Sequence, residues 1–229
     1  MRQIAVVSDI HANLEALEAV LSEVGGLDII CLGDLVDYGA SPNEVVGLVR
    51  SRGISTIAGN HDWAAVKGDT SLFNPRAAMS SIWTQRHLTS QSLDYIRTLP
   101  PDLRNPFEGP ASYFTHGSPD DRLWEYVDPR THGDLFSHYL TKLGVELIGL
   151  GHTHIPYVWQ EEGKIVFNPG SVGQPRDGNP KASFALLSVE GQKATVELRR
   201  VEYDVQKAAS KILDAGLPAP HANRLFTGD

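Results

Sequence analysis

Two kinds of apolar pattern alternate along the chain. Residues 4–7 and 29–32 are short continuous apolar runs that end at Asp or Gly-Asp, the pattern of strands buried on both faces with their polar chemistry at the C-terminal ends. Between them Leu14, Leu17, Val20, Leu21 and Val24 recur at helical spacing, with Glu15, Glu18 and Glu23 facing away and Asn13 placed to cap the first turn. The three segments predict a β-α-β unit. A second helix follows over residues 42–50, with Ser41 as cap, Pro42 at the first helical position and Gly53 beyond its end, and residues 54–58 read as a third strand.

Residues 63–103 change character. They are mostly helical and amphipathic, with Ala77, Met79, Trp83, Leu88, Leu93 and Ile96 as inward positions before the Pro100-Pro101 break. Such a stretch is too long for a simple connection and reads as a helical, cap-like insertion. Strand 112–114, helix 130–143 and strand 145–150 come next. After them the signals turn antiparallel: strands over 157–160, 165–167, 183–189 and 195–203, with turns at Glu162-Gly163 and Glu190-Gly191, then a helix over 205–213. Residues 217–229 read as a loosely held tail.

The length of 229 residues, 41% of them hydrophobic, suits one core, so a single domain over 1–229 is expected. A net charge of -8 argues against a field that recruits long nucleic acid. The lone cysteine, Cys31, lies inside an apolar run and excludes an intrachain disulfide. No signal peptide or membrane span is legible, and a cytoplasmic location is expected.

Five polar islands sit where apolar runs end: Asp9-Ile10-His11, Gly33-Asp34-Leu35-Val36-Asp37, Gly59-Asn60-His61-Asp62, Thr115-His116-Gly117 and Gly151-His152-Thr153-His154. Carboxylate, imidazole and amide oxygen are the donors that hold divalent transition metals, and two ions with one shared ligand need about seven or eight of them. Asp9 and His11 can turn toward one ion, and Asp34 on the neighbouring strand can place a carboxylate between two. His152 and His154 alternate across an extended segment, so they can serve different ions. Singly, a strand-end Asp is an ordinary cap or turn residue. The glycines at 33, 59, 117 and 151 read as permission for sharp strand-to-loop turns.

In order and residue type the islands resemble the calcineurin-like metallophosphoesterase family, whose pattern is D-x-H, G-D-x-x-D, G-N-H-D/E, H-G and G-H-x-H. The resemblance continues through Asn168 to Arg176 and is nearest to the small bacterial and archaeal phosphodiesterase branch. It implies a four-layer α/β/β/α sandwich of two mixed β-sheets. It implies a binuclear centre of two Mn, Fe or Zn ions: Asp9, His11, Asp34 and His154 around the first, and Asp34, Asn60, His116 and His152 around the second. A hydroxide shared by the ions would attack phosphorus. His61 takes the catalytic position, Asp37 is expected to hold its ring, and Arg176 is a candidate phosphate contact. Asn13 is a second candidate substrate contact, equally explained as a helix cap.

The implied activity is hydrolysis of a small phosphoester or nucleotide-type substrate, a diester first. The first alternative is a phosphatase of nucleotides, dinucleoside polyphosphates or phosphoproteins; Tyr38, standing where those relatives carry Arg, argues against it. The second is a non-catalytic metal-binding scaffold, like the family's retromer subunit. His87, His132, His138 and His221 read as surface or packing residues. Trp63, Trp83, Trp124 and Trp159 read as core or pocket wall, since no basic residues interleave with them.

Overall fold

The structure, a computed structural model, describes the backbone of residues 1–229 and every side chain except those at 129 and 131–134. The first sheet contains β1 (Arg2–Val7), β2 (Asp28–Cys31), β3 (Ser55–Thr56), β9 (Ala182–Glu190) and β10 (Lys193–Val201), in the order β10-β9-β1-β2-β3. β1, β2 and β3 run parallel, while β9 lies antiparallel on the other edge of β1. The second sheet contains β4 (Asp102–Arg104), β5 (Ser112–Thr115), β6 (Leu147–Leu150), β7 (Tyr157–Glu161) and β8 (Lys164–Asn168), in the order β4-β5-β6-β8-β7. Its inner strands are parallel and both edge strands antiparallel.

The period of two along β1 decides the layering. Ile4 and Val6 point between the sheets, where they meet Ile30, Leu32, Phe114, Leu147, Phe167 and Leu187. Ala5 and Val7 point outward onto α1 (Leu14–Val24) and α2 (Pro42–Ser51). The outer face of the second sheet is covered by α6 (Pro129–Leu143) through Phe136, Tyr139 and Leu140. The result is the expected four-layer sandwich, with β1, β2, β5 and β6 all ending at the same rim. No helix among the described residues is long and apolar enough to cross a membrane.

Several expectations are corrected. The third strand is shorter than 54–58, because only the amides up to Ile57 continue the pairing with β2; Ala58 N donates instead to Pro100 O at 2.8 Å. The segment 63–103 is mostly helical, as expected, but it closes on a strand that was not expected. It contains most of α3 (Asn60–Lys67), then α4 (Pro75–His87) and α5 (Ser90–Arg97), and it ends in β4, which three residues made too short for any periodicity to reveal. Ile96 of α5 joins the outer core of the first sheet, but Met79 is 58% exposed rather than inward. Glu15 does not face solvent: its carboxylate is buried against α7 (Val205–Asp214), 2.6 Å from Lys211 Nζ and 3.3 Å from Lys207 Nζ. Ser41 precedes α2 without a capping hydrogen bond from its side chain.

The tail is held. Leu217, Ala222 and Leu225 are buried with Ala208, Ala209 and Ile212 of α7, and residues Ala219–Asn223 form α8. His221 is buried there, His87 and His138 are exposed, and the side chain of His132 lies outside the described residues.

Phe167 fills the space between the sheets with no exposure, whereas Met79 fills nothing. Phe167→Ala should therefore cost about 3–5 kcal/mol. Met79→Glu should stay within about 0.5 kcal/mol. Denaturant unfolding of the two variants beside the parent checks both.

Candidate metal centre

The rim is built from backbone that ordinary residues avoid. Asp9, His11 and Ala12 leave β1 with φ between 48° and 54°, Asp34, Asp37 and Tyr38 follow β2 with φ of 57° to 70°, and His152 and His154 follow β6 with φ of 67° and 60°. A left-handed residue with a Cβ costs about 1–2 kcal/mol, so eight such residues need external support. Cross-bonding between the loops supplies it. Asp9, His11 and Ala12 donate their amides to Gly33, Asp34 and Leu35 carbonyls at 2.8–3.0 Å, and Gly173 N and Ser171 Oγ both donate to Asp9 O. Of the four glycines read as turn formers, only Gly33 has positive φ. Gly59 is required by proximity instead: a Cβ there would lie 2.0 Å from Asp34 Oδ1.

This backbone brings all seven candidate ligands together, each of them buried. Three groups have their donor atoms within 4.8 Å of one another: Asp9, His11 and His154; His11, Asp34 and His61; and Asp34, His116 and His152. Asp34 belongs to two of them, with Oδ2 at 3.6 Å from His11 Nε2 and 3.2 Å from His116 Nε2. Asn60 Oδ1 is 3.0 Å from His116 Nε2.

The hydrogen bonds fix which ring atoms face inward. His11 Nδ1 donates to Val36 O at 2.9 Å and His154 Nδ1 to Gln174 O at 2.6 Å, since a carbonyl only accepts. Their Nε2 lone pairs consequently confront each other at 3.1 Å. Asp9 Oδ1 and Asp34 Oδ2 are buried with no hydrogen-bond partner. Unpaired acceptors facing lone pairs in a dry pocket are unfavourable alone and are what a divalent cation satisfies, so the donor set fits a metal.

The titration behaviour agrees. Burial would raise the Asp9 and Asp34 carboxyls, yet His154 beside Asp9 and His116 beside Asp34 outweigh it and hold both below the usual carboxylate range. Burial holds His11 and His154 below the ordinary imidazole value and brings His152 to about 3, which keeps their lone pairs available. Burial also opposes charge on His116, but Asp34 dominates and pushes it up to about 9; a bound cation would replace that proton.

His61 Nδ1 lies 2.7 Å from Asp37 Oδ2, at the start of α3. Burial disfavours its charge, but Asp34 and Asp37 outweigh burial and raise its pKa. Phe73, which the sequence did not single out, stacks on this ring at 4.4 Å, and Trp124 tilts against Phe73 at 5.6 Å as pocket wall. Asn13 spends both ends of its amide inside the fold: Oδ1 accepts from Ala16 N and Nδ2 donates to Gly173 O. Arg176 stands beside the centre, its amide bonded to His154 O at 3.3 Å.

Asp62 is the other residue that sequence reasoning left without a role. Its carboxylate accepts from the amides of Asp34 and Gly59 through Oδ2 and of Leu35 through Oδ1, at 2.8–3.0 Å, so it pins the exit of β2 to the start of α3. Only its place, two residues after Asn60, hinted at this. Asp62→Asn turns one acceptor into a donor facing an amide and should cost about 3 kcal/mol in denaturant unfolding. Manganese affinity should fall with it, because Asp34 and Asn60 lose their common anchor; calorimetric titration reads that loss.

Comparison with known proteins agrees with the geometry. The sequence profile of the calcineurin-like phosphoesterase superfamily domain matches residues 1–192. The chain is 40% identical to the uncharacterized protein MJ0912 of Methanocaldococcus jannaschii, over 98% of each. It is 28% identical to the phosphodiesterase YfcE of Escherichia coli, over 82% of this chain and 88% of that one. The crystal structure of a metallophosphoesterase from Sphaerobacter thermophilus superimposes with a TM-score of 0.84 at 36% identity, covering 100% of this chain and 99% of the other. With its candidate ligands in this order on a four-layer sandwich, the chain belongs to the calcineurin-like phosphoesterase superfamily.

Proposed function

We propose that the protein hydrolyses phosphodiesters at a centre of two divalent transition-metal ions. The observation that carries this reading is Asp34 Oδ2, an unpartnered buried oxygen within 3.6 Å of imidazoles from two separate groups. Asp9, His11, Asp34 and His154 would hold one ion, and Asp34, Asn60, His116 and His152 the other. Mixed imidazole and carboxylate donors suit Mn, Fe or Zn. When bound, the ions supply Lewis acidity toward phosphoryl oxygen and lower the pKa of water toward neutrality.

The remaining work falls to the chain. His61, kept protonated by Asp34 and Asp37, gives a proton to the leaving oxygen as the ester bond breaks, and Asp37 holds Nδ1 so that Nε2 carries that proton. Arg176 offers its guanidinium to the phosphoryl oxygens. Phe73 limits the rotation of the His61 ring and excludes water from one side of it. The likeness to YfcE, a phosphodiesterase by name, supports a diester. A scaffold that only binds has no use for the His61–Asp37 pair.

Elemental analysis after reconstitution should find two manganese, iron or zinc ions per chain, and a stoichiometry below one would end the binuclear reading. Removing them should lower the melting temperature, since metal at a hundredfold excess over its dissociation constant adds about 2.7 kcal/mol per site.

His61→Ala should retain its metals yet lose about 10²–10⁴ in kcat on a diester with a poor leaving group. An equal loss on good leaving groups would show that His61 does not protonate them. Asp37→Asn removes one of the two carboxylates, Asp34 and Asp37, that raise the His61 pKa, so the proton leaves at lower pH. The alkaline limb of the kcat/KM profile should move to lower pH in that variant, and an unmoved limb would detach Asp37 from the proton transfer.

A further inference from the structure

On the other side of Tyr38 from the candidate ligands lies a cleft of about 830 Å³. Arg176, Arg76 near the start of α4, and Arg224 just after α8 line it, with Tyr38, Tyr126 and His221 between them. Asp229 also lines it, one acidic residue beside three guanidinium groups. In a chain of net charge -8, such a concentration of cations is local and specific.

Asp229 favours the charge of Arg224 but does not pair with any of the three arginines. None makes an ion pair among the described residues. Arg176 Nη2 and Arg224 Nη1 instead converge on one neutral oxygen, Gln174 Oε1, at 3.0 and 3.1 Å. Arg176 Nε is buried with no hydrogen-bond partner at all. Burial and the charges of Arg176 and Arg76 lower the pKa of Arg224. Guanidinium groups held this way are satisfied by an anion with several oxygens.

The cleft is a built wall. Buried His221 bonds through Nε2 to Arg76 O at 3.3 Å, which ties α8 to α4. Its near edge touches the centre: the Arg176 guanidinium stands 5.9 Å from the Tyr38 ring, which lies 4.5 Å from the His11 ring and 4.7 Å from that of His61. Arg76 and Arg224 come from elements that carry no candidate ligand, so one phosphate at the metals gives them nothing to bind.

We propose that this cleft receives a second phosphoryl group adjoining the scissile one, so that the substrate is an oligophosphate ester. The proposal rests on the hydrolase reading above and narrows its substrate class. Tyr38, which weighs against the Gly-Asp-x-x-Asp-Arg phosphatases, leaves the loop after β2 uncharged at this position, and the cations of the cleft come instead from Arg176, α4 and the tail.

Calorimetry on the manganese-equilibrated protein tests it with ligands that cannot be hydrolysed. Methylenebisphosphonate should bind at least about tenfold more tightly than methylphosphonate. Arg76→Gln and Arg224→Gln should each cut that preference about three- to tenfold, while Arg76→Lys and Arg224→Lys keep part of it and certify the fold by melting curves. A parent preference below about twofold, or one that neither Gln variant alters, overturns the proposal. Equal affinity for α,β-methylene ADP assigns the site to the phosphate chain alone, and tighter binding that depends on Tyr126 assigns it to a nucleotide; both sustain the second phosphoryl site. Turnover of bis(p-nitrophenyl) phosphate is measured in parallel. Its absence would overturn the hydrolase reading, while the calorimetric preference would still decide the cleft.

Discussion

The architecture around the rim depends on burying two carboxylates, Asp9 and Asp34, each with one oxygen left without a hydrogen bond. An isolated carboxylate in such a place costs several kcal/mol and would normally be protonated or removed. Here His116, its pKa raised, helps hold both ionised, while carbonyl acceptors behind the His11 and His154 rings turn the lone pairs of those two inward. The polypeptide has thus fixed an arrangement of donors whose balance comes only with cations present. Asp62 and the cross-bonded loops resist the relaxation that would relieve the frustration.

The left-handed residues explain how so much chemistry fits into so few positions. An extended chain would carry Asp9 and His11, or His152 and His154, on one face but hold them about 6–7 Å apart along the strand. Turning each of these residues to positive φ folds the chain sharply at the ends of β1 and β6, and the side chains converge. Gly173 belongs to the same device: a Cβ there would lie 1.8 Å from Ile10 O, so only glycine lets the loop after β8 close over the exit of β1. Much of the strain sits in the candidate ligands themselves.

Much of this was legible in the sequence, for identifiable reasons. β1, β2, β6 and α1 carry long enough apolar patterns to declare themselves, and the islands are contiguous, so their order survives without knowledge of the fold. What escaped depends on contacts between distant segments. The burial of Glu15 follows from Lys207 and Lys211, almost two hundred residues away. β4 exists because β5 offers an edge, and the tail is ordered because α7 presents an apolar face to Leu217, Ala222 and Leu225. Arg76, Arg224 and His221 belong to that class, scattered in sequence and joined only by packing. Asn13 shows the reverse limit: the residue reads as cap or as substrate contact, and its two hydrogen bonds spend the amide within the fold.

The position of β1 has a consequence for how the molecule comes together. This strand lies in the middle of its sheet, with β2 on one side and β9, from Ala182 onward, on the other. The loop holding Asp9 is likewise clamped by Ser171 and Gly173. Contacts of such sequence separation demand a large loop-closure entropy before they return any energy, which makes them late events in folding. A nascent chain can therefore form its β-α-β unit early yet hold no competent rim, and its metal donors stay dispersed until most of the polypeptide has emerged. Assembly of the centre is in this sense a checkpoint on completion of the fold, and premature capture of metal by a half-made chain is discouraged by topology.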